Sequence, residues 1–390
     1  MISDSRKKIK VAFFGDDFSR KGRGTALVVQ KLAEEFVDRF PDEIELVILR
    51  KPSPSDNFIL KKVRSVEIKF YRLPLFSTLF SYLIFFFSYR EHFDLVMFNR
   101  NVYPFFWMLN SKAFVLLLHD MSVSPAYQER LTPENYGFYI FLKYVGKYFL
   151  DAIIAVSEDA RLGIISRLRA RPEKVRVVYN GASGAFRKFS EQEKRDFFES
   201  LKSKYGILKP YFLTVARLDP HKNVGTLIDA FFILKREYSF PHKLVIVGGR
   251  HLPKYTKLIE SKISSSDIGS EVIITPYIEE TDMPALYNAA DVFVFPSLME
   301  GFGLPLVEAM KCGVPVVASD VSAMPEIAGG AAALVNATDS RLLADRIWEV
   351  YSDSALKASL VEKGLLRAKF FSWQKTAQSM KNIYESCLYR

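Results

Sequence analysis

Glu300 and Glu308 stand eight positions apart, with Gly301, Phe302, Gly303, Leu304 and Pro305 directly after the first of them. The preceding run DVFVF at 291–295 reads as a buried strand. Pro305 suits the first turn of a helix, and Gly313 and Pro315 would end it. The order is strand, glycine loop, helix start. A helix start offers unpaired N–H groups and partial positive charge, which suits a phosphate. Glycines let the backbone approach that phosphate closely. Glu300 falls in the loop and Glu308 about one turn into the helix, where side chains lean back toward the N-terminus. Both carboxylates can then face one pocket. Carboxylates repel phosphate but accept hydrogen bonds from sugar hydroxyls. The pattern therefore points to a sugar nucleotide, although the spacing alone also fits a glycine-rich turn with two solvated glutamates.

Arg217 and Lys222 add the complementary charge. They follow a strand at 211–215, in the stretch ARLDPHKN. Ligands of open α/β sheets bind beyond the carboxyl ends of strands. Arg suits bidentate phosphate contacts and Lys a point contact. Asn223 is placed to cap the helix that follows. The chain has no Asp-x-Asp, so these two cations, rather than a metal, are expected to stabilise a departing diphosphate. No metal and no cofactor is expected. Taken alone, the pair would read as solvated loop cations.

The stretches EGFGLPLVEAM (300–310), CGVPVVASD (312–320), LYNAADVFVFPS (286–297), VARLDPHKNVGTLIDAF (215–231) and VSEDARLGIISRLRARPEKVRVVYNG (156–181), with Phe371-Ser372-Trp373, resemble the retaining glycosyltransferases of family 4. The resemblance covers most of 150–375 and is loose before it. It implies a GT-B fold: α/β, two Rossmann-like domains with parallel sheets facing a cleft, and a C-terminal helix crossing back to the N-terminal domain. The expected divisions are an acceptor domain at 1–187, a nucleotide-sugar donor domain at 188–372 and the returning helix at 373–390. It puts Arg217 and Lys222 on the diphosphate, Glu308 on the ribose and Glu300 on the transferred sugar. Gly301 and the backbone N–H groups of Phe302, Gly303 and Leu304 would face phosphate or sugar. Ile278 would meet the base through its backbone. In the N-terminal half, Gly22 and Gly24 precede a helix and could let the backbone approach the donor phosphate; a plain loop fits equally. His119 ends a strand at 114–118, and in the family a His at this place lies beside the transferred sugar. Asp120 could orient that His, bind the acceptor or cap a turn. Retention would proceed by front-face attack with the leaving phosphate as base. The segment 119–136 resembles bacterial mannosyl- and rhamnosyltransferases of surface polysaccharides.

The elements that must hold these residues alternate. Apolar strands are expected at 10–14, 45–49, 66–70, 95–98, 114–118, 152–155 and 175–178, then at 211–215, 244–247, 272–275, 292–295 and 316–318. Helical stretches separate them, as at 224–238, where Val224, Leu227, Ile228, Phe231 and Leu234 share a face. This alternation predicts two doubly wound parallel sheets. A linker is expected near 187–209, where charge rises and apolar periodicity weakens. The segment 75–89, LFSTLFSYLIFFFSY, is too short and too broken by Ser to span a bilayer. It reads either as a helix buried on the first sheet or as one lying in a membrane interface.

At 390 residues, two domains are the natural expectation. The net charge is +10, concentrated in the first half. Such a surface attracts nucleic acid, anionic lipid or anionic substrate. No zinc finger or RNP pattern is present, so no nucleic acid is expected; an anionic membrane surface or a phosphate-linked acceptor is preferred. Cys312 and Cys387 form neither a disulfide framework nor a metal pattern, which fits a reducing cytoplasm. The stretch MISDSRKKIKVAFFGDD lacks a secretory h-region. The expected protein is cytoplasmic, peripheral to the inner membrane face, with a nucleotide-sugar donor and a carbohydrate or lipid-linked acceptor. A nucleotide-sugar epimerase or hydrolase on the same fold would not be expected to combine ARLDPHKN with EGFGLPLVE. A dinucleotide oxidoreductase would need a Gly-x-Gly-x-x-Gly after the first strand, where Gly15 is instead followed by Asp16-Asp17-Phe18. A non-catalytic binding partner would not need all four of Arg217, Lys222, Glu300 and Glu308. His92, His221, His242 and His251 read as solvated loop or surface residues.

Overall fold

A computed structural model describes residues 8–14, 24–52, 58–69, 77–100, 104–119, 133–238, 240–250, 252–275 and 278–389. The chain forms two compact units, Met1–Gly181 with Trp373–Arg390, and Ala182–Ser372.

In unit 1 the described strands are β1 (Ile9–Phe14), β2 (Ile44–Arg50), β3 (Arg64–Glu67), β4 (Phe93–Asn99), β5 (Ser111–Leu118), β6 (Ala152–Ala155) and β7 (Val175–Val177). They pair in parallel in the order β3-β2-β1-β4-β5-β6-β7. Strands such as β1 and β4 are apolar almost throughout because helices cover both faces of a parallel sheet. The helices are α1 (Thr25–Arg39), α2 (Phe58–Lys62), α3 (Ser77–Ser88), α4 (Pro133–Tyr144) and α5 (Glu158–Leu168). The third strand lies two residues earlier than its apolar letters suggest, since the register pairs Val47 with Arg64 and Arg50 with Glu67. At this sheet edge, pairing decides the boundary rather than hydrophobicity.

In unit 2 the helices are α6 (Glu191–Tyr205), α7 (Val224–Glu237), α8 (Pro253–Ser264), α9 (Met283–Ala289), α10 (Leu304–Lys311), α11 (Met324–Ala328), α12 (Ser340–Ser352) and α13 (Ser354–Ala368). Its strands are β8 (Tyr211–Val215), β9 (Lys243–Val247), β10 (Val272–Thr275), β11 (Val292–Phe295), β12 (Val316–Ser319) and β13 (Ala333–Val335), in the parallel order β10-β9-β8-β11-β12-β13. The short β13 was not foreseen from the sequence. The stretch expected as a linker instead carries α6. Its Ser190 hydroxyl accepts from the Glu193 N–H, and the Glu193 carboxylate accepts from the Ser190 N–H. That capping box starts a helix without apolar periodicity, and only Leu201 of α6 is buried.

The last helix, α14 (Trp373–Leu388), packs within unit 1. Tyr384 is buried against Phe36 of α1, ring centroids 5.6 Å apart, and its hydroxyl lies 3.0 Å from Met97 Sδ. Lys381 pairs with Glu43 at 2.7 Å.

Candidate functional site

In unit 2 the strand order reverses between β8 and β11. At such a switch point the loops leaving neighbouring strands diverge, and a ligand crevice opens beyond their carboxyl ends. The loops in question run over 216–223 and 296–303. They hold Arg217, Lys222, Glu300, Gly301, Phe302 and Gly303.

The first loop is anchored tightly. Gly248 follows β9, and a Cβ there would lie 1.9 Å from Ala216 O, so only glycine lets the two backbones pass. Residues Pro220–Lys222 form one 3-10 turn. Asn223 then adopts φ +58. It occupies the cap position of α7, but its side chain does not cap the helix. Its amide donates instead to Pro296 O at 3.2 Å and Ala337 O at 2.6 Å. Asn223 thus fastens the β8 loop to the ends of β11 and β13, a role that the cap expectation missed. The Leu298 N–H also donates to His221 O at 2.8 Å.

These ties bring Lys222 and Glu300 together. The Lys222 ammonium donates to Glu300 Oε1 and lies 5.7 Å from the Phe295 ring centroid. Both side chains are mostly withdrawn from solvent, at 16% and 13% exposure. Arg217 differs: it is half exposed and pairs with the buried Asp219 at 3.0 Å. One cation is therefore held inside the site and the other at its rim. The backbone of Glu300 is clamped by Ser322, whose hydroxyl accepts from the Glu300 N–H at 3.2 Å and donates to Glu300 O at 2.7 Å.

Gly303 precedes α10 with φ +89, and a Cβ there would meet Met324 Cε at 2.6 Å. Glycine is needed for both the turn and the close packing. Leu304 opens α10, and Phe302 is buried edge-on to Phe371 at 5.4 Å. Glu308, one turn in, accepts from the buried Tyr287 hydroxyl at 2.9 Å. Burial pushes its carboxyl up to about 7; Tyr287 and Lys311 oppose the shift and Glu280 adds to it. Lys311 donates to Ala182 O and Ser183 O, both at 2.9 Å. Asp219, Ser322 and Tyr287 were not found from the sequence. Ser322 and Tyr287 reach Glu300 and Glu308 across 22 and 21 positions, which no local pattern displays, whereas Asp219 pairs with its near neighbour Arg217.

Ile278 is fully buried near the end of β10, a packing position as much as a contact point. In unit 1, Gly24 precedes α1 with φ +58. His119 is buried at the carboxyl end of β5, its Nε2 2.7 Å from Asn99 Oδ1. Gly22, Asp120 and His251 lie outside the described residues. His92 is exposed and His221 half-buried. His242, expected at the surface, is buried instead, 3.2 Å from Asp291 and stacked on Phe240 at 4.2 Å. Its aromatic slot is assembled from separate elements, so the lone letter gave no sign of it. Cys312 is buried at the end of α10, and burial pushes its thiol up, which removes it as a nucleophile.

Both units resemble known proteins. A family model described as "Glycosyl transferases group 1" matches residues 197–367. One described as "Glycosyltransferase Family 4" matches residues 22–183. The serotype-specific mannosyltransferase WbdA of Escherichia coli is 32% identical over 230 residues, covering 58% of this chain and 28% of that protein. The O-antigen chain mannosyltransferase B of Escherichia coli is 32% identical over 175 residues, covering 45% of each. The chain thus spans less than half the length of these relatives. Anabaena Alr3699/HepE, solved in complex with UDP and glucose, superposes with a TM-score of 0.75 at 21% identity over 97% of this chain and 100% of that one. That similarity concerns the fold.

Proposed function

Because this chain belongs to the family 4 glycosyltransferases, with a group 1 second half, we propose that it moves a hexose from a nucleotide-diphosphate sugar to a carbohydrate or lipid-linked acceptor. The observation that carries this reading is the Lys222–Glu300 pair at the unit 2 switch point, with Arg217 at its rim. A cation for phosphate and a carboxylate for sugar hydroxyls are there held in direct contact. As the sugar–phosphate bond breaks, Lys222 and Arg217 take up the charge growing on the diphosphate. Glu308 accepts from the ribose, and Glu300 from the sugar. The N–H groups at Gly301–Leu304 face phosphate or sugar, and Ile278 meets the base. On the family resemblance, Gly22 and Gly24 approach the donor phosphate, His119 serves proton transfer, Asp120 serves the acceptor and transfer retains configuration. The relatives named as O-antigen mannosyltransferases support a place in polysaccharide synthesis. The two free cysteines support a cytoplasmic setting.

A thermal-shift screen with UDP, GDP, ADP and dTDP tests the donor class. A true ligand at about a hundred times its Kd adds roughly 2.7 kcal/mol of stability. A melt unmoved by any of the four counts against the reading. Transfer is also expected to survive EDTA; activity lost with EDTA and restored by magnesium or manganese would overturn the cation mechanism.

The two glutamates separate by titration calorimetry. Glu308→Gln should weaken binding of the free nucleotide diphosphate. Glu300→Gln should leave that binding intact or slightly tighter, because Lys222 is released from its partner, yet slow transfer. Equal losses in both would undo the assigned roles.

Glu308 further predicts a pH dependence. Its value in the folded chain, about 7, lies above the ordinary glutamate value of 4.5. The folded chain therefore holds an extra proton between the two values, and stability falls as pH rises through that window. Nucleotide affinity, which needs the carboxylate, should rise between about pH 6 and about pH 8. Glu308→Gln should flatten this profile and raise the melting temperature at the alkaline end. A profile unchanged in the variant would remove Glu308 from the nucleotide site.

A further inference from the structure

Among its described residues, unit 2 holds two that are not glycine and yet sit at positive φ: Asn223 and Ser322, both at +58. They flank the Lys222–Glu300 pair. Asn223 follows Lys222 in sequence, and Ser322 bonds the backbone of Glu300. Asn visits the left-handed region at little cost because its short amide bonds locally. Ser has less of that tolerance, and glycine would sit there more easily. A side chain kept where its backbone is disfavoured points to a role for that side chain.

The usual reason for a serine before a helix does not apply. α11 starts at Met324 with Ala323 in the cap position, so Ser322 stands outside the capping place. Its hydroxyl reaches 22 positions back instead. It accepts from the Glu300 N–H at 3.2 Å and donates to Glu300 O at 2.7 Å, so one oxygen holds both main-chain polar groups. Two neighbours brace the same loop. Ser319, buried at the end of β12, donates to Ser297 O at 2.5 Å. Met324 packs against Gly303, where a Cβ would meet its Cε at 2.6 Å. The β8 loop adds two ties, from Asn223 to Pro296 O and from the Leu298 N–H to His221 O. The loop is thus pinned on either side of Glu300, and Ser322 fixes Glu300 itself. The directions open to a side chain follow from its backbone. Ser322 therefore sets the angle from which the Glu300 carboxylate meets Lys222.

We propose that Ser322 is a positioning residue for sugar transfer. It bears the left-handed backbone so that its hydroxyl can fix Glu300, and through Glu300 the carboxylate that meets the transferred sugar. This role rests on the reading of Glu300 as the sugar contact, and Ser322 acts only through it.

Ser322→Gly and Ser322→Ala test it together. Both remove the hydroxyl; glycine also relieves the backbone, whereas alanine keeps the strain. The melting temperature should hold or rise in Ser322→Gly and fall in Ser322→Ala. Turnover should drop in both, about 10- to 100-fold, as for a misplaced reacting group. It is read as release of nucleoside diphosphate, with water as acceptor, from UDP-glucose, GDP-mannose, ADP-glucose and dTDP-glucose. Affinity for the nucleoside diphosphate alone should stay within about twofold, a split that general loosening of unit 2 would not give. A second measurement needs no ligand. Urea unfolding of Lys222→Ala, Glu300→Gln and the double variant gives the coupling of that pair. In a Ser322→Gly background the coupling should fall to less than half. Unmodified turnover in Ser322→Gly, nucleotide affinity lost in step with turnover, or undiminished coupling would each overturn the proposal. Where none of the four sugars is turned over, the coupling decides. Slow Glu300→Gln beside normal Ser322→Gly removes the role of Ser322 alone; normal Glu300→Gln removes the sugar reading and Ser322 with it.

Discussion

Lys222→Ala is expected to slow sugar transfer by about 2–4 kcal/mol of transition-state stabilisation, roughly 30- to 1,000-fold. Lys222 is positioned three times over. The 3-10 turn before it, Asn223 behind it and the Leu298 N–H on His221 O all fix its loop to β11. Its charge is held mostly out of water, where an electrostatic contact weakens little through screening. Arg217→Ala should act in the same direction but less, because Arg217 is half exposed and shares its charge with Asp219. Removing Lys222 also leaves Glu300 without its partner, so some folding stability should be lost and then restored in Lys222→Ala/Glu300→Gln. Single-turnover rates and melting curves on the three variants decide the matter. Wild-type turnover in both single variants would mean that the diphosphate lies elsewhere.

Tyr384→Ala should destabilise unit 1 by about 3–5 kcal/mol, as for other buried aromatic deletions. Tyr384 fills a space between α1 and the first sheet, touching Phe36 and Met97. Both of these contacts lie within unit 1, so urea unfolding should split into an early transition of unit 1 and a later one of unit 2. A loss under about 1 kcal/mol would show that α14 contributes little to unit 1.

Most of unit 2 was legible in the sequence. β8, β10 and β11 are continuous apolar runs between turn residues, and such runs fix their own limits. The Gly303 loop was legible because a buried strand, glycines and Pro305 stand in that order; its φ of +89 was not. Elements that depend on distant partners were not legible. β13 is three residues paired to β12; α6 is announced by a cap rather than by a stripe. Likewise Ser322 and Tyr287 gain meaning only when segments about twenty positions apart meet. His242 was misjudged for the same reason, since its slot comes from Phe240, Phe212 and Tyr351 together.

The return of α14 to unit 1 also governs how the molecule is made. Synthesis runs from the N-terminal side, so Phe36 and the β1–β4 layer emerge long before Tyr384. Unit 2 is one continuous stretch and can close while synthesis continues. Unit 1 must wait with part of its apolar surface uncovered until α14 has emerged after unit 2, a period in which exposed strands and rings invite association. Emergence of α14 is thus the event that completes unit 1, and the two units finish in the reverse of the order in which they begin.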